Sequence, residues 1–185
     1  NENESSRWYP GAGLYRNVHL VVTEDAYVPT WGTHVTTPVV NEEYAKVVLN
    51  TKLATAKGAD RSAYRIVTEI KDPNGKVVAK EENKLSVYNE CQFEQEFAVA
   101  TPALWSVENP FLYTAESKIY AGNTLKDEYT TRFGIRTLEI IPDKGFFLNG
   151  KLTKFKGVCN HHDLGPLGAA VNDAAIRRQI RIMKD

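Results

Sequence analysis

The strongest constraint in this sequence is an alternation of apolar and polar residues with a period of two, repeated along most of the chain in short runs. Val47, Leu49, Thr51 and Leu53 alternate with Lys46, Val48, Asn50 and Lys52, and Phe93 and Phe97 alternate with Glu94 and Glu96. Successive side chains of an extended strand point to opposite faces, so a run of this kind buries one face and wets the other. A helix would instead place apolar residues three and four apart, and no such spacing interrupts the pattern before Pro142. This gives eight candidate strands: Asn17 to Glu24, Val28 to Thr36, Ala45 to Thr55, Ala63 to Lys71, Lys76 to Leu85, Cys91 to Val99, Leu112 to Ala121 and Glu128 to Leu138.

Turn chemistry separates these runs. Asp72-Pro73-Asn74-Gly75 combines a fixed proline φ with an Asn-Gly pair suited to positive φ, and Gly122-Asn123 makes a second hairpin between Tyr120 and Leu125. Regular strands with such punctuation predict a mainly β fold, an antiparallel sandwich of immunoglobulin type. Beyond Arg136 the organisation changes. Leu138 to Ile141 is expected to pair with Phe146 to Leu148 across Pro142-Asp143-Lys144-Gly145, and Asn149-Gly150 to turn into a further candidate strand, Leu152 to Val158. After the glycine-rich stretch Gly165 to Ala170, a helix is expected from Asp173, capped by Asn172 or Asp173. Ile176, Ile180 and Met183 share one face of it, and Arg177, Arg178, Arg181 and Lys184 form a solvated opposite face. Strand, loop and helix together read as the first β/α unit of a barrel or doubly wound sheet, truncated at Asp185. The apolar stripe is then expected to be poorly ordered or docked on another copy of the chain.

Charge and composition narrow the function. Lys plus Arg and Asp plus Glu both number 23, so no net field draws the chain to nucleic acid or an anionic membrane. No apolar run approaches the roughly 18 residues of a membrane span, and the polar start from Asn1 to Ser6, with no initiator Met, is unlike a secretory signal and reads as a beginning inside a longer polypeptide. The compartment stays open. Cys91 and Cys159 are expected to be free, mostly buried thiols, and nothing has metal-ligand spacing. Glu42-Glu43 and Glu81-Glu82 are sequence neighbours whose side chains diverge on a strand, and Glu94 and Glu96 belong to a wet face, so no carboxylate pair for acid-base work is expected. No Gly-x-Ser-x-Gly pattern occurs, and Cys159 beside His161 is not a base-activated pair. Trp105, Phe111 and Tyr113 read as core aromatics at a sandwich corner, with sugar stacking the alternative.

Four segments carry a resemblance. Ser6 to Val18, Leu104 to Tyr113, Phe133-Gly134-Ile135-Arg136, and Phe147 to Lys151 followed by Lys156-Gly157-Val158-Cys159-Asn160-His161-His162-Asp163 stand in the order and spacing of family 2 glycoside hydrolases, and resemble β-galactosidases most. The resemblance implies the tail of a sugar-binding jelly roll over 1–16, an immunoglobulin-like sandwich over 17–138, and a linker hairpin with the first strand and helix of an incomplete TIM barrel over 139–185. It implies a retaining hydrolase whose two carboxyl groups, about 5–5.5 Å apart, lie on later barrel strands. A whole barrel takes about 250 residues, so this chain is expected to hold no catalytic residue and to act as a spacer. His161 and Asp163, at the C-terminal end of the barrel strand, are then the substrate-binding candidates of the intact enzyme, while His162 replaces the family's more usual glutamate. The implied partners are the rest of the polypeptide and a galactoside, with room for a homo-oligomer. No cofactor is expected in this chain, and a divalent metal such as Mg belongs to the intact enzyme. Two alternatives stand beside this: a free-standing carbohydrate-binding or protein-interaction sandwich, and a β-glucuronidase or β-mannosidase parent.

Overall fold

The computed structural model describes residues 13, 14, 16–56, 62–159, 168 and 172–185. Two compact units divide the chain, one of Val22–Lys154 and one of Asn1–Val21 with Phe155–Asp185. The first carries β1 (Ala26–Tyr27), β2 (Thr33–Val40), β3 (Tyr44–Thr55), β4 (Ser62–Lys71), β5 (Val77–Val87), β6 (Glu90–Ala100), β7 (Tyr113–Ala121), β8 (Thr124–Phe133), β9 (Leu138–Ile141), β10 (Gly145–Leu148) and β11 (Lys151–Leu152). The second carries α1 (Asp173–Lys184).

Two antiparallel sheets form an immunoglobulin-like sandwich. In one, β6 pairs along one edge of β3, and β2 and then β1 pair along the other. The second sheet has the order β5-β4-β7-β8. The period-two pattern builds the core directly: Val47, Leu49, Thr51 and Leu53 point inward and are buried, while Lys46, Val48, Asn50 and Lys52 point out. Tyr113 opens β7 and its hydroxyl accepts the Ala103 N–H at 2.9 Å, the corner bond typical of such sandwiches. Around β1 the flank is closed by Val28 N–H donating to the Asp127 carboxylate (2.7 Å), a Thr33–Thr131 hydroxyl pair (2.8 Å) and the Lys126–Asp25 ion pair (2.8 Å).

A polar layer divides the core. On one side lie Val47, Leu49, Ile70, Phe97, Tyr113 and Ile135, on the other Ala26, Leu53, Tyr64, Ile66 and Ile119. Between them, Thr51, Thr68, Gln95 and Ser117 are all at most 2% exposed. The Thr68 hydroxyl donates to the Gln95 side-chain carbonyl at 2.6 Å and pairs with the Ser117 hydroxyl at 2.8 Å, and Gln95 donates on to Asn83 at 2.9 Å. Buried polar groups need partners; here they supply one another across the two sheets. Thr51 Oγ1 has none.

Several expected strands are redrawn by pairing. Residues 17–24 form no strand, and Val18, Leu20, Val21 and Val22 are exposed; alternation alone does not make a strand where no described neighbour offers a ladder. The run from Val28 is broken by the turn at Pro29–Gly32, so β2 begins at Thr33. β8 starts early, at Thr124, and ends at Phe133. Leu152 to Val158 pairs only through Leu152 and continues without regular structure, as a would-be parallel strand does when no described strand flanks it. The expected hairpin forms as β9–β10, from Leu138↔Leu148 to Ile141↔Gly145, and β11 extends it to three strands. In the other unit, α1 begins where expected: the Asn172 side chain accepts the Ala175 N–H at 2.9 Å. Ile176 is half-buried there, and Ile180 and Met183 are about half exposed.

Candidate functional site

Three of the motif segments, far apart in sequence, meet at one corner of the sandwich. The Trp105 backbone N–H donates to the Ile135 carbonyl at 2.8 Å, and the side chain lies along Gly134. A Cβ at Gly134 would come within 2.8 Å of the Trp105 Cβ, so glycine is what permits the approach. The Arg136 guanidinium lies over the Trp105 ring, 5.3 Å from its centroid. Asn149 closes the corner. Its amide donates to the Trp105 carbonyl (3.0 Å), its side-chain oxygen accepts the Thr137 N–H (3.0 Å), and its backbone N–H donates to the Thr137 carbonyl (3.0 Å). The Asn149 backbone is left-handed, φ 52°, a conformation asparagine tolerates better than most residues. Beneath, Tyr113 packs against Phe111 and Phe133 at ring distances of 5.0 and 5.9 Å. Tyr113 is buried, as the sequence implied; Trp105 and Phe111 are half-buried and engaged, not free platforms. This corner fixes the three-stranded hairpin sheet to the sandwich.

The carboxylates near grooves are poorly suited to proton chemistry. An open groove of about 510 Å³ beside the corner is lined by Val40, Asn41, Pro102, Leu104, Thr137 and Asn149, with Glu42 its single acid among the described residues. On the outer face of β5-β4-β7, Glu69 pairs with Lys80 (2.8 Å), Glu82 with Arg65 (3.4 Å), and Glu116 with Lys71. The hydrogen bond from Lys80 holds the Glu69 carboxyl below its ordinary range, and that to Glu116 holds Lys71 above its own. A general acid requires the reverse, a carboxyl raised towards neutrality. Glu96 reaches Lys46 at 2.7 Å on the wet face of β6. Among the described residues, no three His, Cys, Asp or Glu side chains converge where they could hold a metal ion, so no donor set for the implied divalent metal stands here.

The sequence profile of glycosyl hydrolases family 2 matches residues 27–136, more than half of the chain. The chain belongs to glycosyl hydrolase family 2. A β-galactosidase of Bacteroides ovatus is 41% identical over 186 residues, covering all of this chain and 22% of that protein. A β-glucuronidase of Bacteroides fragilis is 29% identical over 183 residues, covering 94% and 26%. A crystal structure of a family 2 member from Bacteroides cellulosilyticus superposes with a TM-score of 0.91 at 36% identity, covering 99% of this chain and 25% of that one. The chain therefore spans about a quarter or less of the length of these family 2 relatives.

Of the residues that the sequence singles out, His161, His162 and Asp163 lie outside the described residues. Glu42, Glu43, Glu81, Glu94 and Glu96 are exposed. Both cysteines are free, but only Cys91 is partly covered; Cys159 is exposed because its segment packs into no sheet, which corrects the expectation of two mostly buried thiols. Two features are not visible in the sequence. The double role of Asn149 looks there like ordinary Asn-Gly turn chemistry. Trp31 proves 92% exposed with φ 59°, in a turn whose only local signal is Pro29 followed three residues later by Gly32.

Proposed function

We propose that this segment is the non-catalytic spacer of a β-galactosidase-like family 2 enzyme, holding a sugar-binding domain and a catalytic TIM barrel in fixed relation while the whole protein cleaves terminal β-galactosides with retention. The observation that carries this reading is the corner at Asn149. There Trp105, Arg136 and Asn149, from three of the family-like segments, are spent on binding within the corner, which suits a mount for a neighbouring domain and not a pocket. The β-galactosidase likeness rests on the 41% identity that runs the length of the chain. A β-glucuronidase parent is the second reading, favoured by the match at 29% over 94% of the chain.

In the first reading His161 and Asp163 bind substrate hydroxyls once the barrel is complete, and a divalent metal such as Mg, if required, is held by groups elsewhere in the enzyme. Retention demands two carboxyl groups about 5–5.5 Å apart, supplied by barrel strands. The test compares this 185-residue chain with the whole polypeptide on nitrophenyl β-galactoside and nitrophenyl β-glucuronide. The expected result is no turnover by the chain and galactoside turnover by the whole, reduced by His161→Ala mainly through KM. Turnover by the chain alone refutes the spacer role, and preference for the glucuronide selects the second reading.

A further inference from the structure

Trp31 occupies the third position of the turn Pro29–Gly32, which closes through the Gly32 N–H donating to the Pro29 carbonyl at 2.7 Å. Its φ of 59° is in the left-handed region, where a Cβ crowds the following carbonyl and glycine is the usual occupant. Its side chain is 92% exposed. The position is thus unfavourable twice, once for the backbone and once for the wetted indole, and the fold recovers neither cost from so exposed a ring. The turn cannot relax cheaply. The Gly32 carbonyl accepts the Lys52 N–H at 2.7 Å, and any Cβ at position 32 would sit 2.6 Å from the Pro29 oxygen. A large, stiff apolar side chain on an immobilised, strained backbone is what a preorganised binding anchor requires.

We propose that Trp31 is a knob that seats in an apolar pocket on the remaining part of the same polypeptide, fastening the sandwich to its neighbouring domain. This rests on the spacer reading above. Three observations select that occupant. More than three quarters of the β-galactosidase relative lies outside the stretch this chain matches, so a tethered partner is at hand. A lone indole buries about 200 Å², too little for a dimer interface of about 800 Å² per partner, yet enough as one anchor between tethered domains, where effective concentration replaces area. A sugar site is concave with free polar groups, whereas on neighbouring β3 and β6 two pairs of outward polar side chains bind each other, Asn50 with Gln92 and Lys52 with Glu90 (2.8 Å).

Hydroxyl-radical footprinting of the 185-residue chain and of the whole polypeptide tests it, with Trp31→Gly made in both. Trp31 is expected to oxidise at least tenfold more slowly in the whole protein than in the chain. Trp31→Gly, which relieves the left-handed backbone, should leave the chain's urea midpoint undiminished but raise cleavage between the sandwich and the next domain of the whole protein about thirtyfold, the effect of losing a central interface tryptophan. Equal oxidation in both forms overturns the proposal. So does protection of the dilute chain by galactose, which would make Trp31 a sugar platform, or protection that grows with chain concentration, which would make it a self-contact. Absence of glycosidase activity in the unmutated whole protein would sink the spacer reading alone, and is read separately from the footprint.

Discussion

Replacing Asn149 by alanine removes two side-chain hydrogen bonds at once, to the Trp105 carbonyl and from the Thr137 N–H, both 3.0 Å and both partly buried. A net contribution of about 1 kcal/mol each gives a loss of about 2 kcal/mol. Alanine must also adopt the φ of 52° that asparagine tolerates, which adds about 1 kcal/mol. The expected destabilisation is therefore about 3 kcal/mol, a large share of the roughly 5–15 kcal/mol that holds a domain together. Asn149→Gly separates the two causes. It loses the same bonds without the backbone strain, so it should cost about 1 kcal/mol less than alanine. Urea unfolding followed by circular dichroism measures both, with an unchanged slope as the sign that the folded state is the same. Because the hairpin sheet could open without the sandwich, hydrogen exchange at Phe147 and Leu148 provides a second readout. A cost below about 0.5 kcal/mol for Asn149→Ala, with exchange at these amides unchanged, would refute the assignment of Asn149 as the clasp.

Thr51→Val removes the buried hydroxyl that has no partner while keeping the side-chain shape, and should raise the unfolding free energy by about 1 kcal/mol in the same urea experiment; a loss of stability would mean the hydroxyl is satisfied. Iodoacetamide at about pH 8 should modify exposed Cys159 well before Cys91, whose thiol burial pushes upward in pKa, and mass spectrometry of the labelled peptides reads the order. Hydrogen bonds from Lys126 and Lys80 hold the Asp25 and Glu69 carboxyls below their ordinary 3.8 and 4.5, and bonds to Asp25 and Glu116 hold Lys126 and Lys71 above 10.5. Lowered carboxyls stabilise the fold above their unfolded pKa and lose this as pH falls through the folded one; raised ammonium groups do so below theirs and lose it as pH rises. Urea midpoints should thus be flat from about pH 5 to 10 as far as these groups decide, and fall on either side; a midpoint that climbs below about pH 4 contradicts these pairings.

The mainly β architecture was legible because its signals are local. Inside-outside alternation in β3 and β6, the Asp72-Pro73-Asn74-Gly75 turn and the Asn172 cap each depend on a few adjacent residues and their own dihedral preferences. The family-like segments were legible too, as strings. Their purpose was not: Trp105 and Asn149 are 44 residues apart, and only closure of the sandwich brings the amide of one to the carbonyl of the other. The same holds for Thr68, Gln95 and Ser117, which look like misplaced polar residues in apolar runs until two sheets face each other and make them partners. Residues 17–24 show the converse, since a strand-like pattern acquires no strand without a neighbour. Sequence alone determined which segments can be extended and which face of each prefers the interior. The tertiary structure decided which of them pair, where the polar groups find partners, and that Trp31 is left in water, because hydrogen bonds and burial between distant residues exist only once the chain has closed on itself.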